Sequence, residues 1–136
     1  MQTDVGMKTK NSIDFIYKFM KRNNKAISSM TKSGISYLLN SSVYKLSIHP
    51  GRSFSIWKHD GKKLFIYKFA VSEEYQGTGE AKRLMKELID IASKRGYESI
   101  NLVVKRHNTR AIMFYMKMGF EKISMSRTCY DMALKL

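Results

Sequence analysis

The 136-residue sequence contains one cysteine and one proline. A single cysteine excludes an intrachain disulfide and is compatible with a reducing compartment. The lack of proline argues against a linker-rich protein. Long apolar runs are also missing: none approaches the ~18 residues of a membrane span, and the polar start MQTDVGMKTKNS has no apolar core of a secretory signal. We therefore expect a single cytoplasmic domain over residues 1–136.

Acidic residues are scarce, because 11 Asp and Glu stand against 25 Lys and Arg, a net charge of +14. Residues 1–63 carry 12 basic and 3 acidic residues, whereas residues 64–136 carry 13 and 8. Such a surface attracts nucleic acid, anionic lipid, phosphorylated ligands or acidic proteins. A basic surface that serves only solubility is the alternative. Contact with RNA through the basic N-terminal half is one expectation that follows.

The apolar residues, 43% of the chain, indicate a packed core of helices and strands. Periodicity near 3.6 predicts helices at 12–22, within 25–40, at 79–95 and at 108–119. Alternation predicts strands at 44–48, 53–59, 64–71, 98–104, 121–128 and 129–136. This order indicates an α/β fold with a mixed sheet. Cys129 lies in the last of these strands, where a buried structural thiol is expected.

The second and third strands are predicted to form a hairpin around Asp60-Gly61, a strong two-residue turn signal. This register places Ile56 opposite Phe65 and Phe54 opposite Tyr67. The strands carry apolar residues on both faces, which predicts a sheet that is covered on both sides.

The stretch VSEEYQGTGEAKRLM joins the strand at 64–71 to the helix at 79–95. Gly77 and Gly79 allow positive φ angles, and the free N–H groups of a helix N-terminus bind phosphate. The loop is not a dinucleotide-binding G-x-G-x-x-G, because Lys82 stands where the third glycine would be, and no P-loop motif occurs. The context favours phosphate binding over a plain turn.

Two motifs, about 30 residues apart, resemble those of the GNAT superfamily of N-acetyltransferases. The first is Gln76-x-x-Gly79-x-Ala81, similar to the family's acyl-CoA loop, and the second is the NTRAIMFYMKMGF segment that begins at Asn108. The resemblance covers roughly residues 53–136. It implies a three-layer α/β fold with a mixed, mostly antiparallel sheet. It also implies direct transfer of an acetyl group from acetyl-CoA, as co-substrate, to a primary amine without a metal.

The resemblance also implies a role for ten residues. Tyr115 would be the general acid near the sulfur, and Asn108 would contact the pantetheine. The strand edge near Phe69 and Val71 would pair with the pantetheine and polarise the thioester carbonyl. The remaining six would bind the pyrophosphate through their amides: Gln76, Gly77, Thr78, Gly79, Glu80 and Ala81. From the residues alone, Tyr115 could equally be a core aromatic and Asn108 a helix N-cap.

The chain departs from the family pattern at the general base. Many members place a glutamate in the strand before the loop, but LFIYKFAV has no acidic residue and Phe65 stands at about that position. Nearby titratable alternatives are Asp60, Glu73, Glu74, His59, His49 and His107. The lack of an obvious base favours an amine of low pKa or a base relayed by water.

The N-terminus is a second departure, since the family normally opens with a strand and residues 1–11 do not resemble one. We expect residues 1–11 to be flexible and the first strand to be absent. The acceptor cleft is then more open, or is closed by a second subunit in a homodimer.

The positive charge of the N-terminal half favours an acceptor that carries negative charge. An aminoacyl-tRNA, an acidic peptide or a phosphorylated metabolite would each fit. The rival hypothesis is a non-catalytic domain of the same fold that binds nucleic acid or an acidic partner.

Overall fold

The computed structural model describes residues 10–22 and 31–136. Its helices are α1 (Lys10–Arg22), α2 (Lys32–Asn40), α3 (Glu80–Lys94) and α4 (Thr109–Lys117). Its strands are β1 (Tyr44–His49), β2 (Ser53–Asp60), β3 (Lys63–Val71), β4 (Ser99–Lys105), β5 (Glu121–Met125) and β6 (Cys129–Lys135). A short 3-10 helix, Glu73–Tyr75, stands between β3 and α3. The predicted order of helices and strands is confirmed.

The six strands of the described residues form one sheet in the order β1-β2-β3-β4-β6-β5. Neighbouring strands are antiparallel except β3 and β4, which run parallel because α3 forms the crossover between them. The predicted mixed, mostly antiparallel sheet is therefore confirmed. The hairpin of β5 and β6 places its second strand beside β4 and leaves β5 at the edge.

Helices cover the sheet on both faces, which makes three layers. α1 and α2 pack on one face through a cluster that contains Ile16, Leu39 and Ile56. α3 and α4 pack on the other face through a cluster that contains Trp57 and Leu88. Ile56 and Trp57 are neighbours in β2, point to opposite faces and are both fully buried, so the prediction of a strand covered on both sides is confirmed.

The hairpin of β2 and β3 has a different register from the predicted one. Asp60 pairs with Lys63, so the turn residues are Gly61 and Lys62. Gly61 has φ 62° and no non-glycine residue described has a positive φ, which matches a type II′ turn with glycine first. The glycine takes the first central position of the turn and not the second, and this moves the whole register.

As a result, Phe65 lies opposite Lys58 and Phe54 lies opposite Ala70. A β-bulge between Ile56 and Trp57 shifts the register once more. The predicted pairs of Ile56 with Phe65 and Phe54 with Tyr67 are wrong. Alternation of apolar residues carries no mark of an extra bulged residue, so the sequence pattern did not reveal this shift.

α1 begins at Lys10, so Lys10 and Asn11 belong to a helix and not to a flexible segment. Ser12 lies inside α1 and is buried. Among the described residues no strand precedes α1, and residues 1–9 lie outside them.

α2 continues through Gly34 without a break. The hydroxyl of Thr31 caps this helix and accepts a hydrogen bond of 3.0 Å from the Gly34 N–H, which stabilises the first turn. The predicted start of this helix, at residues 25–30, lies outside the described residues. Within the ranges that the structure covers, no helix has the length and apolar character required to cross a membrane.

Candidate active site

β3 and β4 pair only over their first residues. The parallel register runs from Lys63 with Ser99 to Ile66 with Leu102, and the strands part beyond it. A cavity of about 690 Å³ lies between the parted ends and is lined by Tyr67–Val71 and Val103–Lys105 among other residues. A strand edge without a neighbour presents N–H and C=O groups to an extended ligand. Phe69 and Val71, predicted at such an edge, both line the cavity.

The glycine loop borders the same cavity at the N-terminus of α3. Gly77 and Gly79 have φ angles of 80° and 92°, a conformation that side chains with a Cβ rarely adopt. A Cβ on either residue would meet no atom within 4 Å, so the space in front of the loop is open. The alternating backbone conformation and the helix N-terminus together form a concave site suited to an anion.

Not all six predicted amides are free to bind a ligand. The amide of Gln76 donates to the carbonyl of Glu73 and that of Thr78 donates to the carbonyl of Tyr75, both at 3.3 Å. Amides without a hydrogen bond within the described residues are those of Gly77, Gly79, Glu80 and Ala81. Within the described residues, four of the six predicted amides are therefore free to bind an anion.

Asn108 is the N-cap of α4. Its side-chain oxygen accepts a hydrogen bond of 3.3 Å from the Ala111 N–H, so the N-cap alternative is confirmed. Asn108 also lines the cavity, and its side-chain N–H₂ group is not used by the cap. The capping role and a ligand contact are compatible in this geometry.

Tyr115 lies in the wall of the cavity and is 8% exposed. Its ring packs against Phe69, Phe114 and Phe120, with centroid distances between 5.6 and 6.1 Å. No hydrogen bond to its hydroxyl is found within the described residues. Burial raises the pKa of Tyr115 far above its usual value, so the phenol keeps its proton at neutral pH and can act as a donor.

The charges that line the cavity are all positive within the part of the chain that the structure describes. No Asp or Glu is among the lining residues, which include five cations: Lys68, Lys82, Lys105, Arg110 and Lys117. Burial lowers the pKa of Lys68, which is half-buried. A cavity of this charge favours anionic ligands.

None of the six titratable residues considered as general bases is among the described lining of the cavity. His59 contacts the Tyr97 hydroxyl at 3.0 Å on the surface, and Glu74 lies 3.8 Å from Arg22. His49 is bound in a cluster at the end of β1. Among the described lining residues, no carboxylate is therefore placed to act as a general base in this cavity.

That cluster is the polar feature that sequence reasoning missed. The carboxylate of Glu80 is fully buried, and its Oε2 atom lies 2.5 Å from His49 Nδ1 and 2.6 Å from the Ser53 hydroxyl. Glu87 lies 2.9 Å from His49 Nε2, and Arg83 donates to Glu80 Oε1 at 3.1 Å. The cluster ties β1 and β2 to the first turns of α3, whose amides face the cavity. The spacing of Glu80, Arg83 and Glu87 at three and four residues was the only signal in the sequence.

The side chain of Glu80 points into this cluster, whereas the prediction for Glu80 concerned its amide. One side chain lies elsewhere than predicted. Cys129 is partly exposed and lines the cavity. The prediction of a buried structural thiol is wrong, because Cys129 lies on the sheet face away from the core formed with α3 and α4.

Known proteins resemble this chain in sequence over its central and C-terminal parts. Residues 45–120, more than half of the chain, match the model of the Acetyltransferase (GNAT) family. The [ribosomal protein bS18]-alanine N-acetyltransferase of Escherichia coli (strain K12) is 34% identical over 65 residues, which are 48% of this chain and 44% of that protein. The chain thus matches less than half the length of this curated relative.

Solved structures match over nearly the whole chain. The crystal structure of the ribosomal-protein-S18-alanine N-acetyltransferase from Escherichia coli has a TM-score of 0.83 and 21% identity, and covers 99% of this chain and 92% of that one. The PaiA N-acetyltransferase from Thermoplasma acidophilum, solved in complex with coenzyme A, has a TM-score of 0.75 and 19% identity, with coverages of 93% and 92%. These structures share the three-layer fold. Together with the family model they show that this chain belongs to the GNAT acetyltransferase family.

Proposed function

We propose that this protein is an N-acetyltransferase that moves the acetyl group of acetyl-CoA to the α-amine of a peptide or protein. One observation carries the proposal: β3 and β4 part beside the four unbonded amides at the N-terminus of α3. An extended ligand between the parted strands would reach these amides with its anionic end.

The residues that line the cavity fit acetyl-CoA. The amides of Gly77, Gly79, Glu80 and Ala81 would hold the pyrophosphate, and nearby cations complement its phosphates: Lys82, Arg110 and Lys117. The open edge of β3 at Phe69 and Val71 would pair with the pantetheine. The side-chain N–H₂ group of Asn108 would donate to it from the other wall.

Acetyl-CoA supplies a thioester. The amine nitrogen attacks its carbonyl carbon, the C–N bond forms, the C–S bond breaks, and a backbone N–H of β3 stabilises the oxyanion. Tyr115 donates its O–H to the leaving sulfur. The proton lost by the amine returns to Tyr115 through water, so that the enzyme ends as it began.

The choice of an α-amine rests on two observations. No carboxylate is among the described lining residues, so an amine that is partly neutral at neutral pH is favoured. An α-amine has a pKa of about 7.8 and a lysine side chain of about 10.4. The related E. coli enzyme is named for the acetylation of an alanine of a ribosomal protein, which supports the same acceptor class.

Isothermal titration with acetyl-CoA tests the proposal, and two glycine variants sharpen it. Gly79→Ala and Gly61→Ala each place a Cβ at a positive φ with no atom within 4 Å, so each adds backbone strain without a steric clash. Only Gly79 borders the cavity. We expect acetyl-CoA to bind at least about tenfold more weakly to Gly79→Ala and unchanged to Gly61→Ala.

An absence of heat on titration of the wild-type protein with acetyl-CoA would contradict the proposal. In that case, retention on RNA that weakens with salt would support the rival function, a non-catalytic domain that binds nucleic acid through its basic surface.

A further inference from the structure

The cavity opens on both faces of the sheet. Lys68 and Ala70 of β3 lie directly opposite Ile56 and Phe54 of β2, and directly opposite residues of antiparallel strands share a face. Ile56 and Phe54 belong to the cluster under α1 and α2. The ring of Phe69, by contrast, packs on the α3 and α4 side, where the glycine loop lies. Lys68 therefore lines the side of the cavity away from the anion site of α3.

The Lys68 ammonium is the half-buried charge on that side. It lies 5.2 Å from the centroid of the Tyr67 ring and forms no ion pair with a carboxylate of residues 10–22 or 31–136. Lys105 of β4 lies on the same face, because its neighbour Val104 packs under α3 and α4 and strand residues alternate. A partly desolvated ammonium is costly unless an anion or a hydrogen-bond acceptor binds it.

Carboxylates near this face of the cavity are already occupied. Asp131 lies opposite Val103 and accepts a hydrogen bond from the Ser124 hydroxyl. Asp14 of α1 lies 3.3 Å from the Lys32 ammonium. Residues 23–30, which connect α1 to α2 and lie outside the described residues, contain no Asp or Glu. Within the described residues, no carboxylate near this face is left to pair with Lys68, and a ligand can supply that anion.

We propose that the acceptor is a peptide N-terminus with an acidic side chain in its first two residues, and that Lys68 binds this carboxylate. The inference rests on the proposed acetyl transfer, because the amine must enter from the face opposite the acetyl-CoA phosphates. The geometry also favours the reactive form of the amine. The Lys68 ammonium beside the entering α-amine disfavours the ammonium form of that amine. The carboxylate of the acceptor offsets the repulsion between Lys68 and the amine.

Matched peptides test the inference with the full-length protein and acetyl-CoA. The probes begin with Ala-Glu, Ala-Gln, Ala-Lys, Glu-Ala or Gln-Ala and continue with one common uncharged sequence. We expect kcat/KM to be about tenfold or more higher for each Glu peptide than for its Gln partner, the effect of a hydrogen bond between charged groups. The Ala-Lys peptide should be the poorest acceptor.

Three variants of one position separate charge from packing. Lys68→Met should remove the preference for Glu over Gln, Lys68→Glu should reverse it toward the Ala-Lys peptide, and Lys68→Arg should retain it. Lys86→Met is the matched control, because Lys86 is an exposed lysine of α3 outside the cavity lining. It should retain the preference, and all variants should bind acetyl-CoA as the wild type does.

The outcomes separate this inference from the proposed function. Equal kcat/KM values for Glu and Gln peptides, or an unchanged preference in Lys68→Met, would each overturn the inference alone. No transfer to any peptide by a protein that binds acetyl-CoA would overturn the inference together with the peptide α-amine as the proposed acceptor. A wild-type protein that does not bind acetyl-CoA would overturn the proposed function as well. Thermal unfolding of each variant identifies any variant that has lost its fold. If Lys68→Met and Lys68→Glu do not fold, the inference is tested by whether Lys68→Arg retains the preference for Glu over Gln peptides.

Discussion

Two charged regions flank the first turns of α3, and their charges are balanced in different ways. In the buried cluster, the carboxylates of Glu80 and Glu87 are bound by His49, Ser53 and Arg83. In the cavity, five cations have no carboxylate among the described lining residues. Charges that are paired inside the fold hold its elements together. The five cations of the cavity repel one another where no carboxylate lies between them. We infer that a bound ligand neutralises them.

The largest expected effect concerns the paired region. Glu80→Gln removes the charge that His49 and Arg83 face at the fully buried carboxylate. We expect a loss of stability on the order of 3 kcal/mol, because the largely buried His49 and Ser53 lose the charged group that they bind in the interior. Urea denaturation measures it. The matched control is Glu98→Gln, since Glu98 lies 3.7 Å from Lys62 on the surface and should cost less than about 1 kcal/mol.

Equal stabilities of Glu80→Gln and Glu98→Gln would show that the buried cluster does not hold α3 to β1. The paired charges would then not stabilise the fold, and this contrast with the cavity would be wrong.

The next largest effect concerns Tyr115, in the wall of the cavity. Tyr115→Phe removes the hydroxyl but keeps the ring contacts with Phe69 and Phe120. We expect turnover to fall by about 10²-fold, as when a general acid is removed, with acetyl-CoA affinity nearly unchanged. Tyr97→Phe is the matched control, because the Tyr97 hydroxyl contacts His59 at the surface. Steady-state kinetics and titration calorimetry separate turnover from binding, and an unchanged turnover in Tyr115→Phe would remove this residue from the mechanism.

The smallest expected effect is the pH dependence of the stability that the Glu80 carboxylate contributes. Burial of Glu80 disfavours its charge, but hydrogen bonds from Ser53, His49 and Arg83 outweigh this and hold its pKa below the usual value. A lowered pKa in the folded state means that the stabilisation is complete above the unfolded value, ~4.3, and is lost as the pH falls through the folded value. The stability difference between wild type and Glu80→Gln should therefore be constant near neutrality and narrow below about pH 4. A difference that grows in acid would contradict the assignment.

Local patterns predicted most of the fold. Helical periodicity located α3 within a residue of its observed ends, and Asn108 was recognised as a cap because its side chain bonds an amide three residues away. Such features depend on neighbours in the chain, so a sequence window contains all the partners. The glycine loop was predicted for the same reason: a positive φ at Gly77 and Gly79 is a property of single residues.

Failures of prediction involve partners that are distant in sequence. The turn at Gly61 moved the hairpin register locally, but the bulge that shifts it again depends on the pairing of β2 with β3. The exposure of Cys129 depends on which face of β6 meets the core. Glu80 and His49 are 31 residues apart, and nothing local in either segment indicates that they meet.

The sequence by itself determined that a strand leads through two glycines into an amphipathic helix, that Tyr115 and Asn108 follow on a second helix, and that cations outnumber acids. These are properties of composition and near-neighbour geometry. Tertiary structure alone decided that β3 and β4 part next to the glycine loop and that Glu80 is paired in the interior. It also decided that Lys68, on the opposite face, has no carboxylate partner among the residues that the structure describes. The physical reason is that burial and charge pairing depend on which segments pack together, and strand pairing across the sheet settles this.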